Sequence, residues 1–186
     1  MIRPPRRAPR SDARENRARI VGTARAVFAD DPSATLQAVA KAACVGQGTM
    51  YRHFPHREAL LLAVYRDELE VLVAAAPRLL DAYGPLEALR LWFERLTLDA
   101  HDGHGRGAVS LAVDAATRAG RHHPPLVAAL DLLLEAGKEA GQVRPDAGAD
   151  EILRLGSSLW RADDGPVCPD RGRRMLGVIV DGLRTR

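Results

Sequence analysis

Gln47, Thr49, Tyr51, Arg52 and His53 gather hydrogen-bonding side chains into one short stretch, just behind Gly46 and interleaved with Gly48. A glutamine pairs with an adenine edge and an arginine with guanine O6 and N7, so Gln47 and Arg52 have the chemistry to read bases. Gly46 and Gly48 leave the first turn of this segment nearly bare, which lets its backbone approach another molecule closely. Met50 and Phe54, four residues apart, mark the opposite, core-facing side. Upstream, Leu36, Val39, Ala40 and Ala43 recur at helical spacing, and Thr35 is a good N-cap for their helix. The Thr35 hydroxyl serves as a cap alone, or also meets a phosphate. Two short helices and a tight turn within Thr35–Leu60 form the layout of a helix-turn-helix, whose second helix enters the DNA major groove.

The run Ala43-Cys44-Val45-Gly46-Gln47-Gly48-Thr49-Met50-Tyr51-Arg52-His53-Phe54, followed by Arg57-Glu58-Ala59-Leu60, resembles the TetR/AcrR family of bacterial repressors. That family commonly reads A-G-V-S-x-G-T-L-Y-x-H-F, then K-E-x-L. The resemblance is motif-specific over roughly Asp12–Leu60 and architectural beyond. Cys44 stands in place of a turn glycine, Gly46 in place of a capping serine, and His56 where a small polar cap is common. The resemblance implies that Thr49, Tyr51 and His53 touch phosphates, and that Arg57, matching the family's lysine, grips the DNA backbone. The expected DNA-facing set is Thr35, Gln47, Gly48, Thr49, Tyr51, Arg52, His53 and Arg57.

These residues need a frame. Asp12–Ala29 is expected to be a helix, started by a capping-box-like Asp12/Glu15 pair. Its stripe of Ile20, Ala24, Val27 and Phe28 should pack on Leu36, Val39, Met50 and Phe54 and close a three-helix head. Asp30, Asp31 and Pro32 end it. Ahead of it, Arg3, Arg6, Arg7 and Arg10 among three prolines predict a flexible basic arm over residues 1–11. That arm either follows the DNA backbone or an adjacent minor groove, or is a solvated tail. The chain thus divides into an arm (1–11), a DNA-binding head (12–56) and a helical body (57–186).

The body reads as a succession of helices. His56–Ala76 is one long apolar-striped helix, which in the family connects head to body, and Pro77 and Gly84-Pro85 punctuate the chain after it. Helices are expected over Leu86–Ala100, Ala108–Ala119 and Leu126–Ala140, completing an antiparallel bundle. Trp92, Phe93 and Leu96 either pack in the core or line an apolar effector cavity of the kind the family's body often has. His101, Asp102 and His104 form a short cluster with no further ligand run, too little for a metal site; no cofactor is expected. Asp150–Ala162 presents Ile152, Leu155, Gly156 and Leu159, and Arg171–Leu183 presents Leu176, Ile179, Val180 and Leu183. Apolar faces broken by small residues suit a four-helix, two-fold interface, so these eight residues are the expected homodimer contact.

Composition sets the limits. Apolar residues make up 46% of the 186, but aromatics only 4%, so alanine, leucine and valine must supply most of the packing. Few β-branched runs and abundant alanine, leucine and arginine point to an all-α chain. Residues 1–60 hold 11 Lys/Arg against 5 Asp/Glu, whereas the rest hold 16 against 19. The basic end coincides with the helix-turn-helix, the footprint of a phosphate-binding head on a body with another task. No apolar window suits a membrane span, and the basic N-terminus is followed by no signal core, so a cytoplasmic location is expected. Cys44 and Cys168 suggest no disulfide framework. Phosphate-cradling, dinucleotide, nucleophile-elbow and zinc-protease motifs are all missing, which argues against an enzyme. The expected function is a homodimeric transcriptional repressor that binds a palindromic duplex operator and is released by a small-molecule effector. The alternative is a helical protein-interaction module with a non-specific basic patch.

Overall fold

The computed structural model describes residues 9–98, 108–120, 123–159 and 169–185. Among them lie ten helices and no strand: α1 Pro9–Asp30, α2 Leu36–Ala42, α3 Gln47–His53, α4 Arg57–Val64, α5 Arg66–Ala82, α6 Pro85–Leu98, α7 Ala108–Arg118, α8 Pro124–Glu139, α9 Ala149–Leu159 and α10 Pro169–Gly182. The all-α expectation holds. Proline opens α1, α6, α8 and α10. A first-turn proline gives up no hydrogen bond, because its missing N–H is an orphan there, and its fixed φ already suits the helix. Residues 1–8 of the expected arm, His101, Asp102, His104 and Cys168 lie outside the described residues.

The helices form two compact units that divide between Val64 and Tyr65. In the first, α1 packs on α2 and α4, and α2 on α3. Ile20, Ala24 and Phe28 are buried in its core, as are the predicted partners Leu36, Val39, Met50 and Phe54, together with Leu60 and Leu61. Val27, expected in the stripe, is only half-buried. The start of α1 differs from expectation. Pro9–Ser11, assigned to the arm, are helical, so Asp12 is a first-turn residue rather than a cap. A carboxylate there still gains from the positive end of the helix dipole.

In the second unit α5 packs on α6 and α8, α6 on α8 and α10, and α9 on α7, α8 and α10. Two departures from the sequence reading occur around α5. The helix expected over 56–76 is interrupted at Tyr65, whose backbone (φ −106°, ψ 26°) leaves the helical region. Arg25 Nη2 donates to the Val64 carbonyl at 2.5 Å. That carbonyl would otherwise serve the next helical turn, so α4 ends with its last acceptor satisfied from α1. Pro77, expected to break the chain, lies inside α5. Proline in a helix interior costs about 3 kcal/mol, but Leu69, Leu72, Ala75, Ala76 and Leu79 are all buried around it. Burial of leucine side chains at about 1.5–3 kcal/mol each outweighs one lost backbone bond.

The end of α8 is closed by Gly141 at φ +65°, with Gly141 N–H donating to the Lys138 carbonyl and Gln142 N–H to that of Gly137. This is a Schellman cap, which needs a left-handed residue at that point. The turn is then tied to the chain's end by an antiparallel bridge between Val143 and Arg184. A Cβ on Gly137 would sit 2.5 Å from Val143 Cγ2, so only glycine allows the turn to fold back onto α8.

Candidate nucleic-acid interface

The turn that aims α3 is built on Cys44. It adopts φ 52°, the one left-handed non-glycine residue among those described. Cys44 N–H donates to the Lys41 carbonyl and Val45 N–H to that of Ala40. These bonds make a second Schellman cap, ending α2 where a glycine would ordinarily stand. A side chain in this conformation costs about 1–2 kcal/mol, offset partly because glycine loses more backbone entropy on folding. Cys44→Gly is therefore expected to stabilise the head by about 1 kcal/mol, a rise in Tm of about 4–8 °C for a unit this small. Thermal unfolding followed by circular dichroism checks this, and an unchanged or lower Tm would mean that the thiol has a packing role. The thiol is exposed and free.

At the start of α2, Thr35 caps the helix by accepting from Ala38 N–H at 3.2 Å, with its side chain exposed. Gly46 caps α3 with backbone alone, its carbonyl receiving the N–H groups of Thr49 and Met50. Met50 and Phe54 are buried beneath α3. Phe54 also receives the Arg17 guanidinium over its ring at 5.0 Å to the centroid, a cation–π contact that covers the end of α3. The opposite face carries Gln47, Gly48, Tyr51 and Arg52, all exposed, flanked by half-buried Thr49 and His53. The geometry thus gathers four of the predicted residues, Gln47, Gly48, Tyr51 and Arg52, on one side of a single short helix, with Thr49 and His53 at the margins of that face. Arg52 Nε donates to the Gly48 carbonyl at 3.0 Å, which lays the guanidinium along the helix and leaves its Nη groups for other acceptors.

Arg57, at the first position of α4, is differently placed. Its side chain is half-buried; Nε donates to the Ala34 carbonyl at 2.9 Å and Nη2 to the Pro32 carbonyl, while the guanidinium covers the Phe28 ring at 5.1 Å. Beside it, His56 Nδ1 lies 3.1 Å from both Ala59 N–H and Glu58 Oε2. One ring nitrogen cannot accept from the first and donate to the second at once, so Nδ1 caps α4 when it carries no hydrogen and pairs with Glu58 when it does.

The other predicted residues lie in the second unit. Trp92, Phe93 and Leu96 are buried, with Trp92 Nε1 donating to the Leu72 carbonyl at 3.0 Å. Trp92 and Phe93 meet edge to face with centroids 5.4 Å apart. A Cβ on Gly156 would lie 3.3 Å from Phe93 Cε1, so this glycine lets α9 close on the aromatic pair. A surface cavity of about 390 Å³ opens elsewhere, between the start of α6, the turn at Gly141-Gln142 and Arg184. Sequence periodicity overlooked the buried polar face of α7. Ser110, Asp114 and Thr117 are each at most 5% exposed, Ser110 donates to the Leu96 carbonyl, and Asp114 pairs with Arg118 at 2.8 Å. Among the described residues Asp114 Oδ1 has no hydrogen-bond partner. Spacing of i, i+4 and i+7 was the available signal, masked by the alanines that dominate this helix.

Of the residues expected at a dimer contact, Ile152, Leu176, Val180 and Leu183 are buried within the chain itself, and Gly156 faces Phe93. Leu155 is 56% exposed and Ile179 half-buried; Leu159 lies in α9. Val178, not anticipated, is 74% exposed on α10. Each apolar stripe is therefore divided between a side that faces the chain's own core and a side that remains open.

Comparison with known proteins agrees with this architecture. Residues 20–64 match the family described as bacterial regulatory proteins, tetR family, and residues 84–185 match the C-terminal domain described as transcriptional regulator SbtR-like. The transcriptional repressor LfrR of Mycolicibacterium smegmatis is 40% identical over 79 residues, a match spanning 42% of each chain. The transcriptional regulator UidR of Escherichia coli is 26% identical over 158 residues, 78% of each chain. The crystal structure of a TetR transcriptional regulator from Streptomyces coelicolor aligns with a TM-score of 0.54 and 32% identity, covering 90% of this chain and 98% of that one.

Proposed function

This chain belongs to the TetR family of DNA-binding, non-enzymatic transcriptional regulators, and from that premise we propose that it acts in the cytoplasm as a homodimeric repressor, released from a palindromic operator by a small-molecule effector. Each head inserts α3 into the major groove of one half-site, with half-sites about one helical turn, roughly 34–36 Å, apart. Gln47 and Arg52 read base edges; Thr35, Thr49, Tyr51 and His53 meet phosphates; Gly48 admits the DNA backbone. The observation that carries this reading is the open space around Gly46 and Gly48. A Cβ at either would meet nothing within 4 Å, and neither has positive φ. Nothing inside the chain demands glycine at either position; Gly48 lies within α3, where glycine costs about 1 kcal/mol, and Gly46 is the N-cap, where a side-chain oxygen would have added a capping bond. Close approach of an external backbone supplies the missing reason.

The same reasoning supports pairing through α9 and α10. Gly177 and Gly182 also have open space above them, and they accompany the exposed Leu155 and Val178. The dimer contact is then the outer side of these helices, with Leu155 and Ile179 from the expected set and Val178 added. For the effector, Trp92, Phe93 and Leu96 are the apolar candidates and Asp114 Oδ1 on α7 is an acceptor for a hydrogen-bond donor; all four are buried, so this site requires the body to open before a ligand enters. Such a ligand releases DNA to the extent that it binds the released state better, and linkage requires DNA to weaken its binding equally.

Selection of bound duplexes from a random pool at near-physiological salt tests the reading. A recovered palindrome supports it. Recovery of no preferred sequence, with binding that disappears as salt rises, would leave the alternative of an interaction module with a basic patch. With the recovered duplex, Arg52→Ala is expected to weaken binding by about 1–3 kcal/mol and to relax the preference at one base pair. Equal weakening on every sequence would assign Arg52 to a phosphate instead.

A further inference from the structure

We propose that Arg57 is a positioning residue of the DNA-binding head, a clamp that locks the loop between α1 and α2 onto the start of α4, rather than a side chain that grips the DNA backbone. The inference rests on the DNA-binding reading and changes the role of a single arginine within it.

Three contacts meet at this guanidinium. Nε donates to the Ala34 carbonyl at 2.9 Å, Nη2 donates to the Pro32 carbonyl, and the flat face covers the Phe28 ring at 5.1 Å. The two carbonyls belong to the loop Asp31–Ala34, and Ala34 immediately precedes Thr35, the cap of α2. Phe28 is buried at the end of α1. One side chain on α4 thus ties together the end of α1, the loop and the start of α2. The loop is set further by Asp31, whose carboxylate accepts from Ser33 N–H at 2.8 Å and Ser33 Oγ at 2.6 Å. Those bonds, with a smaller contribution from the nearby Arg57 charge, hold the Asp31 carboxyl below its ordinary pKa.

The chemistry requires arginine. A planar fork donates to two carbonyls and stacks on a ring at the same time, whereas an ammonium is a compact point charge on a flexible stem and cannot span two carbonyls while lying flat on the ring. Carbonyls of an irregular loop have no helical donors, so losing the fork leaves the acceptors at Pro32 and Ala34 to solvent and frees the loop. A phosphate grip has the opposite requirement, since it needs the charge and accepts lysine.

Arg57→Lys therefore separates the two roles. The clamp predicts at least a tenfold loss of affinity for the duplex recovered by selection, with the slope of log affinity against log salt unchanged. A Lys variant that binds like the parent would overturn the proposal. So would Arg57→Gln if its slope fell by about 0.9 per head, because that fall is the signature of one lost phosphate contact. A second measurement needs neither a variant nor DNA. In the unmodified free protein, nitrogen–proton NMR should show the Arg57 Nε–H exchanging with water much more slowly than that of the exposed Arg14. Exchange as fast as that of Arg14 in free protein, slowing only when duplex is added, would rule out the clamp and leave the DNA-binding reading intact.

Discussion

Phe54→Ala is expected to abolish DNA binding while leaving the second unit folded. Phe54 follows α3 directly and is buried with Ile20, Phe28, Leu36, Val39 and Met50. Its ring also carries the Arg17 guanidinium. Truncating a buried phenylalanine to alanine costs about 3–5 kcal/mol, because the transfer energy of the ring is lost and the cavity collapses only incompletely. A domain has only about 5–15 kcal/mol in total. The first unit is small, with α2 and α3 of seven residues each. Helices that short do not persist without tertiary packing. Loss of Phe54 should therefore release α3 from its position instead of merely loosening it. Two thermal transitions should appear where the parent shows one or a closely spaced pair, the lower accompanied by loss of duplex binding in fluorescence anisotropy. Parent-like binding by a variant with an unchanged melting curve would contradict this account of how α3 is held.

The second large effect concerns pairing. The double substitution Leu155→Asp with Val178→Asp is expected to give folded monomers in sedimentation velocity. Both side chains are largely exposed, at 56% and 74%. Replacement at such surface positions ordinarily changes chain stability by no more than about 0.5 kcal/mol. In the proposed dimer the same carboxylates would be buried against an apolar face, where unpaired charge is not tolerated. Linking two heads makes the second half-site contact intramolecular, and that advantage is typically about 10²–10⁴-fold in affinity. Its loss should appear as a fall of about that size on a palindromic duplex and a much smaller one on a single half-site. Leu176→Asp serves as the contrast. Leu176 is buried within its own chain, so its substitution should unfold the protein before any question of pairing arises. A double variant that stays dimeric would move the interface away from α9 and α10.

Much of this protein is decided by neighbours within a few residues of one another, and those features were legible in the chain. Leu36, Val39, Met50 and Phe54 declare their buried side by helical spacing, because 3.6 residues per turn brings them onto one face whatever that face meets. Thr35 caps α2 with a hydroxyl three residues from the amide it serves. The exposed face of α3 followed from the same periodicity, and the all-helical class from composition. The partners of each face were decided only by the tertiary structure. Ile152 and Leu176 were apolar and helical in either case; the folded body covers them itself and leaves Leu155 and Val178 open. Pro77 stays within α5 because the leucines around it are buried, a gain that no local rule contains. The interruption at Tyr65 is linked to Arg25, 39 residues before the Val64 carbonyl it reaches. Arg57 is the sharpest case. In the sequence it is a positive charge beside a DNA-reading motif. In the fold its fork is committed to two carbonyls more than 20 residues upstream. Spacing reveals the side of a helix on which a residue stands, but the acceptor a side chain finds depends on chain segments brought together by burial, and that information resides in no single stretch of sequence.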